Sequence, residues 1–138
     1  MNAIDTNIQI YRYDSRDPAK QQIAEQLITT LPSQILLWQV GSEFLAASRK
    51  LASLGFTEDR AWAALAYLQS VAARVALPDV QVWTDAQDLQ KRHILSFWDS
   101  LLVAACIRAG VQILYTEDMG APRTIDSLSL VNPFLTGP

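Results

Sequence analysis

The chain has 138 residues, 50% hydrophobic and 18% charged, with five Gly and six Pro. That composition excludes disorder, collagen-like repeats and low-complexity tails, and the length suits one core-forming domain, read here as a single domain over 1–138. With 11 basic and 14 acidic residues the net charge is -3, which excludes a polycationic grip on nucleic acid and leaves only local basic patches to hold phosphates. The one cysteine, Cys106, excludes an intrachain disulfide and fits a reducing compartment. His93 is the sole histidine, so any zinc site or catalytic dyad needing two imidazoles is excluded. A charge at Asp5 interrupts the place where a signal peptide needs apolar residues, and the longest apolar run, Leu101 to Ile107, is far too short to span a bilayer. The expectation is a cytoplasmic protein with no membrane partner.

In chain order, Ala3-Ile4 reads as the end of a short strand, closed by Asp5-Thr6-Asn7, whose side chains favour caps and turns. A helix follows from Ile8 to Tyr13. Ala19 to Leu31 predicts a second, with Ile23, Leu27 and Leu31 on one stripe. Pro32-Ser33 breaks the chain before a strand over Gln34 to Leu37. Gln39 to Leu54 has the clearest amphipathic period, carried by Val40, Phe44, Ala47, Leu51 and Leu54, and Gly55 stops it. Thr57 ahead of Glu58 and Asp59 starts an Ala-rich helix over 58–75, completing an αα-hairpin that Pro78 ends. Val80 to Trp83 reads as a strand, and Thr84 as the cap of a two-turn helix. Ser96 precedes a helix over Phe97 to Ala109 that is apolar all round at 101–107 and therefore buried. Gly110 stops it; Val111 to Tyr115 and Leu128 to Val131 are the last strands. Strands separated by helices predict an α/β fold with a parallel sheet between helical layers.

In such a sheet, function gathers at the carboxyl ends of the strands. Asp5 ends the first strand, Asp118 lies just past Tyr115, and Asp99 opens the buried helix. Glu43 stands about 60° from the centre of its helix's apolar stripe, an edge position that is partly covered. Singly, each has an ordinary explanation as a cap, a dipole partner or a solvated turn. Together, clustered carboxylates without histidine suit a hard cation, Mg²⁺ or Mn²⁺, which takes oxygen ligands. Such a cation can activate water against a phosphodiester and stabilise the leaving oxygen.

Ile4-Asp5-Thr6-Asn7-Ile8, Gln39-Val40-Gly41-Ser42-Glu43-Phe44, Ser96-Phe97-Trp98-Asp99-Ser100-Leu101-Leu102 and Leu114-Tyr115-Thr116-Glu117-Asp118-Met119 resemble the four acidic motifs of PIN-domain nucleases. They are similar above all to the VapC-type toxins of bacterial toxin–antitoxin pairs, and Val131-Asn132-Pro133-Phe134 is similar to the usual end of those chains. The resemblance spans about residues 3 to 134. It implies a Rossmann-like PIN fold, usually homodimeric, with metal-dependent cleavage of RNA. By resemblance the acidic quartet is Asp5, Glu43, Asp99 and Asp118, binding Mg²⁺ or Mn²⁺, with Asn7 helping to hold the first acid and Thr116 at the polar position beside the fourth. The hairpin of residues 39–75 is where the resemblance places a cognate antitoxin, helix in groove. The chain departs from the family at Gly120-Ala121-Pro122-Arg123, which bears on substrate preference more than on metal.

Other residues carry less. Arg12, Arg16, Lys20, Arg49 and Lys50 are candidates for RNA phosphates, Lys50 lying roughly 10 Å along the helix from Glu43. Cys106 reads as inert core, His93 as structural, and Trp62 either packs internally or faces a partner. A non-catalytic PIN-fold interaction module is the first alternative, and four retained, mutually repelling acids argue against it. A phospho-receiver-like α/β domain would want a second acid beside Asp5 and a lysine after the last strand. Thr6-Asn7 follow Asp5 instead, and no lysine occurs after Lys91. A haloacid-dehalogenase-like phosphatase would want an acid where Asn7 stands.

Overall fold

A computed structural model describes residues 1–135. The strands are β1 (Asn2–Ile4), β2 (Ile35–Leu37), β3 (Arg74–Ala76), β4 (Ile113–Tyr115), β5 (Arg123–Ile125) and β6 (Leu128–Val131). The helices are α1 (Thr6–Tyr11), α2 (Pro18–Thr30), α3 (Trp38–Ala47), α4 (Glu58–Val71), α5 (Gln81–Arg92) and α6 (Phe97–Arg108). Strands pair in the order β1-β4-β6-β5, parallel except for the antiparallel edge strand β5. On the other side of β1 a single bridge from Asn2 to Gln34 leads to the parallel pair β2-β3. Strand order therefore reverses at β1, and a crevice opens beyond the carboxyl ends of β1 and its neighbours.

The main core fills the space between sheet and helices. Leu114, Leu128 and Leu130 from the strands meet Ile8, Ile28, Val40, Leu102, Val103 and Cys106 from the helices, all at 3% exposure or less. α6 is buried around most of its circumference, as its unbroken apolar run requires. A second cluster sits under the hairpin, where Ile10, Phe44, Leu51 and Phe56 pack together and Tyr13 stacks on Phe56 at 4.5 Å between ring centroids. Gly41 lets α3 approach α4: a Cβ there would stand 3.2 Å from Leu65 Cδ1.

Four expectations are corrected. The helix over Gln39 to Leu54 is α3 followed by a 3-10 segment, Ser48–Leu54. Buried Ser48 turns its hydroxyl back onto the Leu45 carbonyl at 2.8 Å, a local competitor for helical bonding, and the tighter turn carries Leu51 into the second core. The helix over 58–75 ends at Val71, because Arg74–Ala76 gain ladder hydrogen bonds to β2 that alanine propensity does not reveal. Val80 to Trp83 is not a strand but the start of α5, and Thr84 lies inside it. Asp79 Oδ1 accepts from Gln81 N at 2.8 Å, and Val82, Ala86 and Leu89 face inward at helical spacing over three turns. The buried stripe of α2 is Ala24 and Ile28, with Ile23, Leu27 and Leu31 half-buried beside it. Strand β5 has no counterpart in the sequence reading.

The remaining elements fall close to expectation. Asp5 caps α1, Asp17 accepts from Lys20 N ahead of α2, Thr57 caps α4 and Ser96 caps α6. Gly55 stops the hairpin's first arm at φ 89°. After Asp118 the chain reverses through Met119 and Gly120, both left-handed at φ 59° and 72°, and turns toward β5.

Candidate active site

Asp5 sits where β1 passes into α1, its backbone N–H bonded to the Tyr115 carbonyl of β4 at 2.9 Å. Thr116 and Asp118 follow the carboxyl end of β4. β2 runs straight into α3, whose second turn carries Glu43, and the first turn of α6 carries Asp99. Four acids from four separate elements thus line one cavity of about 530 Å³, together with Thr6, Asn7, Gln39 and Trp98.

Each acid has its own surroundings. Asp5 is 7% exposed, and its Oδ1 accepts from Thr6 N at 2.7 Å while its Oδ2 accepts from the Thr116 hydroxyl at 2.9 Å. The Thr116 oxygen in turn accepts from Asp118 N at 3.1 Å, tying the last acid's loop to the first acid. Burial pushes the Asp5 carboxyl up to about 6; the Thr116 and Thr6 hydrogen bonds pull against that shift, and the charges of Asp118 and Glu43 add to it. Asp118 is also raised, by burial first and then by Glu117 and Asp99, against the Asn7 hydrogen bond and Lys20. Its Oδ2 accepts from Asn7 Nδ2 at 3.2 Å. Half-buried Glu43 accepts from the Thr6 hydroxyl at 3.0 Å and from Gln39 Nε2 at 2.9 Å. The half-buried Asp99 carboxylate accepts no hydrogen bond among the described residues.

The resemblance sets Asn7 to hold the first acid and Thr116 beside the fourth, but the side-chain donors are exchanged: Asn7 Nδ2 bonds Asp118, and the Thr116 hydroxyl bonds Asp5 while its oxygen accepts from Asp118 N. Thr6 and Gln39 also bond an acid, a role the sequence reading did not give them. Gln39 could have been found from its four-residue step to Glu43 on one helix face. Thr6 could not, because its partner is 37 residues away.

Most of the basic candidates are committed elsewhere. Arg12 pairs with Glu25 and lies 4.5 Å over the Tyr67 ring. Arg16 pairs with Asp14 at 2.9 Å, and Arg49 donates to the Phe56 carbonyl at 3.1 Å. Lys20 is bound to Glu117, which therefore belongs to a packed contact and not to a solvated turn. Lys50 has no ion pair among the described residues and stays exposed. His93 lies at the end of α5, 3.8 Å from Asp126 and outside the acidic cavity. Cys106 is fully buried, and burial raises its thiol far above the ordinary range, so it is inert. Trp62 is 61% exposed and faces outward.

The donor set is carboxylate, hydroxyl and amide oxygen, which matches a hard divalent cation. Among the described residues no three acidic, histidine or cysteine side chains converge tightly enough to hold an ion alone. Mg²⁺ commonly takes one or two carboxylates directly and keeps several waters, so a cation here would draw its remaining ligands from water.

An acidic cavity at the point where strand order reverses defines an α/β domain built to gather negative charge at its sheet edge. The PIN domain profile matches residues 3–125, and the chain belongs to the PIN domain family. Solved structures share the fold. VapC20 of Mycobacterium tuberculosis, a sarcin-ricin-loop-cleaving toxin, superimposes with a TM-score of 0.68 at 22% identity, covering 87% of this chain and 92% of that one. A toxin–antitoxin complex from Klebsiella pneumoniae gives 0.69 at 19% identity, covering 97% and 98%. VapBC2 from Rickettsia felis, bound to a DNA fragment from its promoter, gives 0.63 at 18% identity, covering 94% and 96%. No curated protein matches the chain in sequence comparison.

Proposed function

We propose that this single PIN domain, residues 1–138, is a metal-dependent endoribonuclease, the toxin of a toxin–antitoxin pair, acting in the cytoplasm. Asp5, Glu43, Asp99 and Asp118 would hold Mg²⁺ or Mn²⁺. The observation that carries the reading is the convergence of these four carboxylates on one cavity from elements far apart in the chain. Family membership and the fold shared with VapC toxins support it. A divalent cation there supplies the positive charge that lets a polyanion approach an acidic protein and that stabilises the charge developing on the scissile phosphate. Asp5, with one hydrogen bond to each oxygen, is fixed in place; Asp99 presents its carboxylate uncommitted. Thr6 and Gln39 orient Glu43, and Asn7 orients Asp118. With His93 outside the cavity, no imidazole is available to activate a ribose hydroxyl, so the reaction class is hydrolysis by water.

The hairpin of 39–75 is proposed as the antitoxin's docking site, with Trp62 and Leu54 exposed on it. The proposed homodimer is supported by an exposed aromatic groove. A groove of about 540 Å³ runs between the start of α3, the β3–α5 loop and α6. It is lined by Trp38, Trp83 and Trp98, between 53% and 67% exposed. On its rim Arg108 pairs with Asp79 at 3.3 Å, and Arg74 donates to the Ala109 carbonyl.

The direct test is RNA cleavage by purified protein. Cleavage with Mg²⁺ or Mn²⁺, loss with EDTA, and inactive Asp5→Asn and Asp99→Asn variants are expected. Undiminished cleavage in EDTA would sink the metal mechanism.

A further inference from the structure

Glu117 and Asp118 are adjacent in sequence and face different ways. Asp118 lines the acidic cavity; Glu117 does not, and its side chain is only 18% exposed. Its two oxygens are held by separate donors from the far end of the chain. Tyr11 Oη, at the end of α1, donates to Oε1 at 2.5 Å, and Lys20 Nζ, in the first turn of α2, donates to Oε2 at 2.8 Å. Lys20 also donates to the Tyr11 hydroxyl at 3.3 Å, closing the triangle. Behind it Phe134 meets the Tyr11 ring edge-on at 5.3 Å, and the Lys20 ammonium lies 4.7 and 5.0 Å from the two ring centroids. The Lys20 backbone is itself pinned, its N–H donating to the Asp17 cap.

An exposed lysine–glutamate pair contributes little, but this one is half-buried, with Glu117 bonded at both oxygens and aromatic rings beside it. The backbone of the loop it grips is held by Asp118 N on the Thr116 hydroxyl, Ala121 N on the Asp118 carbonyl and Arg123 on the Met119 carbonyl, but few groups fix the Asp118 side chain. Asp118's own carboxylate is held among the described residues by the 3.2 Å bond from Asn7, and the next two residues are left-handed. We infer that Tyr11, Lys20 and Glu117 act as positioning residues, clamping the loop after β4 so that Asp118 stays turned into the cavity. The inference rests on the metal-dependent reading above. It also gives Lys20 a role other than a contact for RNA phosphate.

Mn²⁺ binding to RNA-free protein, measured by isothermal titration calorimetry, separates positioning from simple charge. Charge alone makes Lys20→Met bind Mn²⁺ more tightly, by removing a nearby cation, and Glu117→Gln more weakly. Positioning makes both bind more weakly, by roughly ten- to a hundredfold as for other residues that orient metal ligands. The double variant should be no weaker than the worse single one, since both break the same unit. Lys20→Arg should restore most of the affinity. Lys20→Met binding as tightly as wild type, or additive losses in the double variant, would overturn the clamp. If wild-type protein binds no Mn²⁺, the metal-dependent reading fails instead, and the clamp is judged by amide hydrogen exchange. The Asp118 N–H should then exchange at least about tenfold faster in Lys20→Met and in Tyr11→Phe, while the buried Leu114 amide keeps its wild-type rate and reports an intact fold. Unchanged exchange at Asp118 would overturn the clamp.

Discussion

Asp5→Asn should stabilise the metal-free protein at neutral pH while abolishing activity. The Asp5 carboxyl rises from 3.8 to about 6 on folding, chiefly through burial. A raised folded pKa means that the proton binds the native state more tightly. Stability from that proton is fully present below about pH 3.8 and is lost as pH rises through about 6. A shift of about two units corresponds to roughly 3 kcal/mol, the penalty the ionised group imposes above pH 6. Asparagine removes that penalty and loses part of the acceptor pair for Thr6 N and the Thr116 hydroxyl, worth about 1 kcal/mol. The net gain near pH 8 is then about 2 kcal/mol, or roughly 5–10 °C in Tm for a chain of this size. Below pH 4 the gain should vanish or reverse. Thermal unfolding by circular dichroism in EDTA, from pH 4 to pH 8, reads the difference directly. Saturating Mn²⁺ should raise the wild-type Tm at pH 8 and move the variant much less, because the cation binds the native acids and not the unfolded chain. A Tm difference that does not change with pH would refute the claim that a buried charge, and not a structural role, dominates at Asp5.

The cleavage products should carry 5′-phosphate and 3′-hydroxyl ends; 2′,3′-cyclic phosphate ends, identified by mass spectrometry, would refute hydrolysis by water. Thr116→Val removes the one side-chain donor to Asp5 among the described residues, so the pH at which metal-free stability declines should move upward, while an unmoved profile would show the bond to be inconsequential. Hydrogen exchange on an antitoxin complex should show protection over residues 39–75, and protection confined to β5 and β6 would place the partner elsewhere. Trp83→Glu should shift the protein toward monomer in sedimentation velocity, since it buries a charge in the proposed groove; an unchanged dimer would assign pairing to another face.

Local chemistry made much of this protein legible from its residues. The caps at Asp5, Thr57 and Ser96, the stop at Gly55 and the unbroken apolar run of α6 are short-range signals, and each appears where the chain announces it. Asp5, Asp99 and Asp118 stand out because they lie at strand ends or a helix start, positions that the strand-end rule links, whereas Glu43 joins them through the resemblance to PIN-domain nucleases. What pairing decides was not legible. β3 forms because Arg74–Ala76 find β2, and β5 because Arg123–Ile125 find β6; nothing within either tripeptide demands a strand. Val80 to Trp83 alternates well enough for a strand, but Asp79 accepts from Gln81 N ahead of a helix there and the core accepts Val82, Ala86 and Leu89 from one face.

By itself the sequence determined the class of fold, the inventory of acids and the absence of an imidazole pair, because these depend on residue identity and on periods of two or 3.6. Only the tertiary structure decided which groups meet. It brought Thr6 and Gln39 to Glu43, Thr116 to Asp5, and Lys20 and Tyr11 to Glu117, and it gathered three tryptophans into one groove. It also decided that Asp5, and not its more exposed neighbours, bears most of the burial, since desolvation depends on everything packed around a carboxylate and on no single feature of the chain.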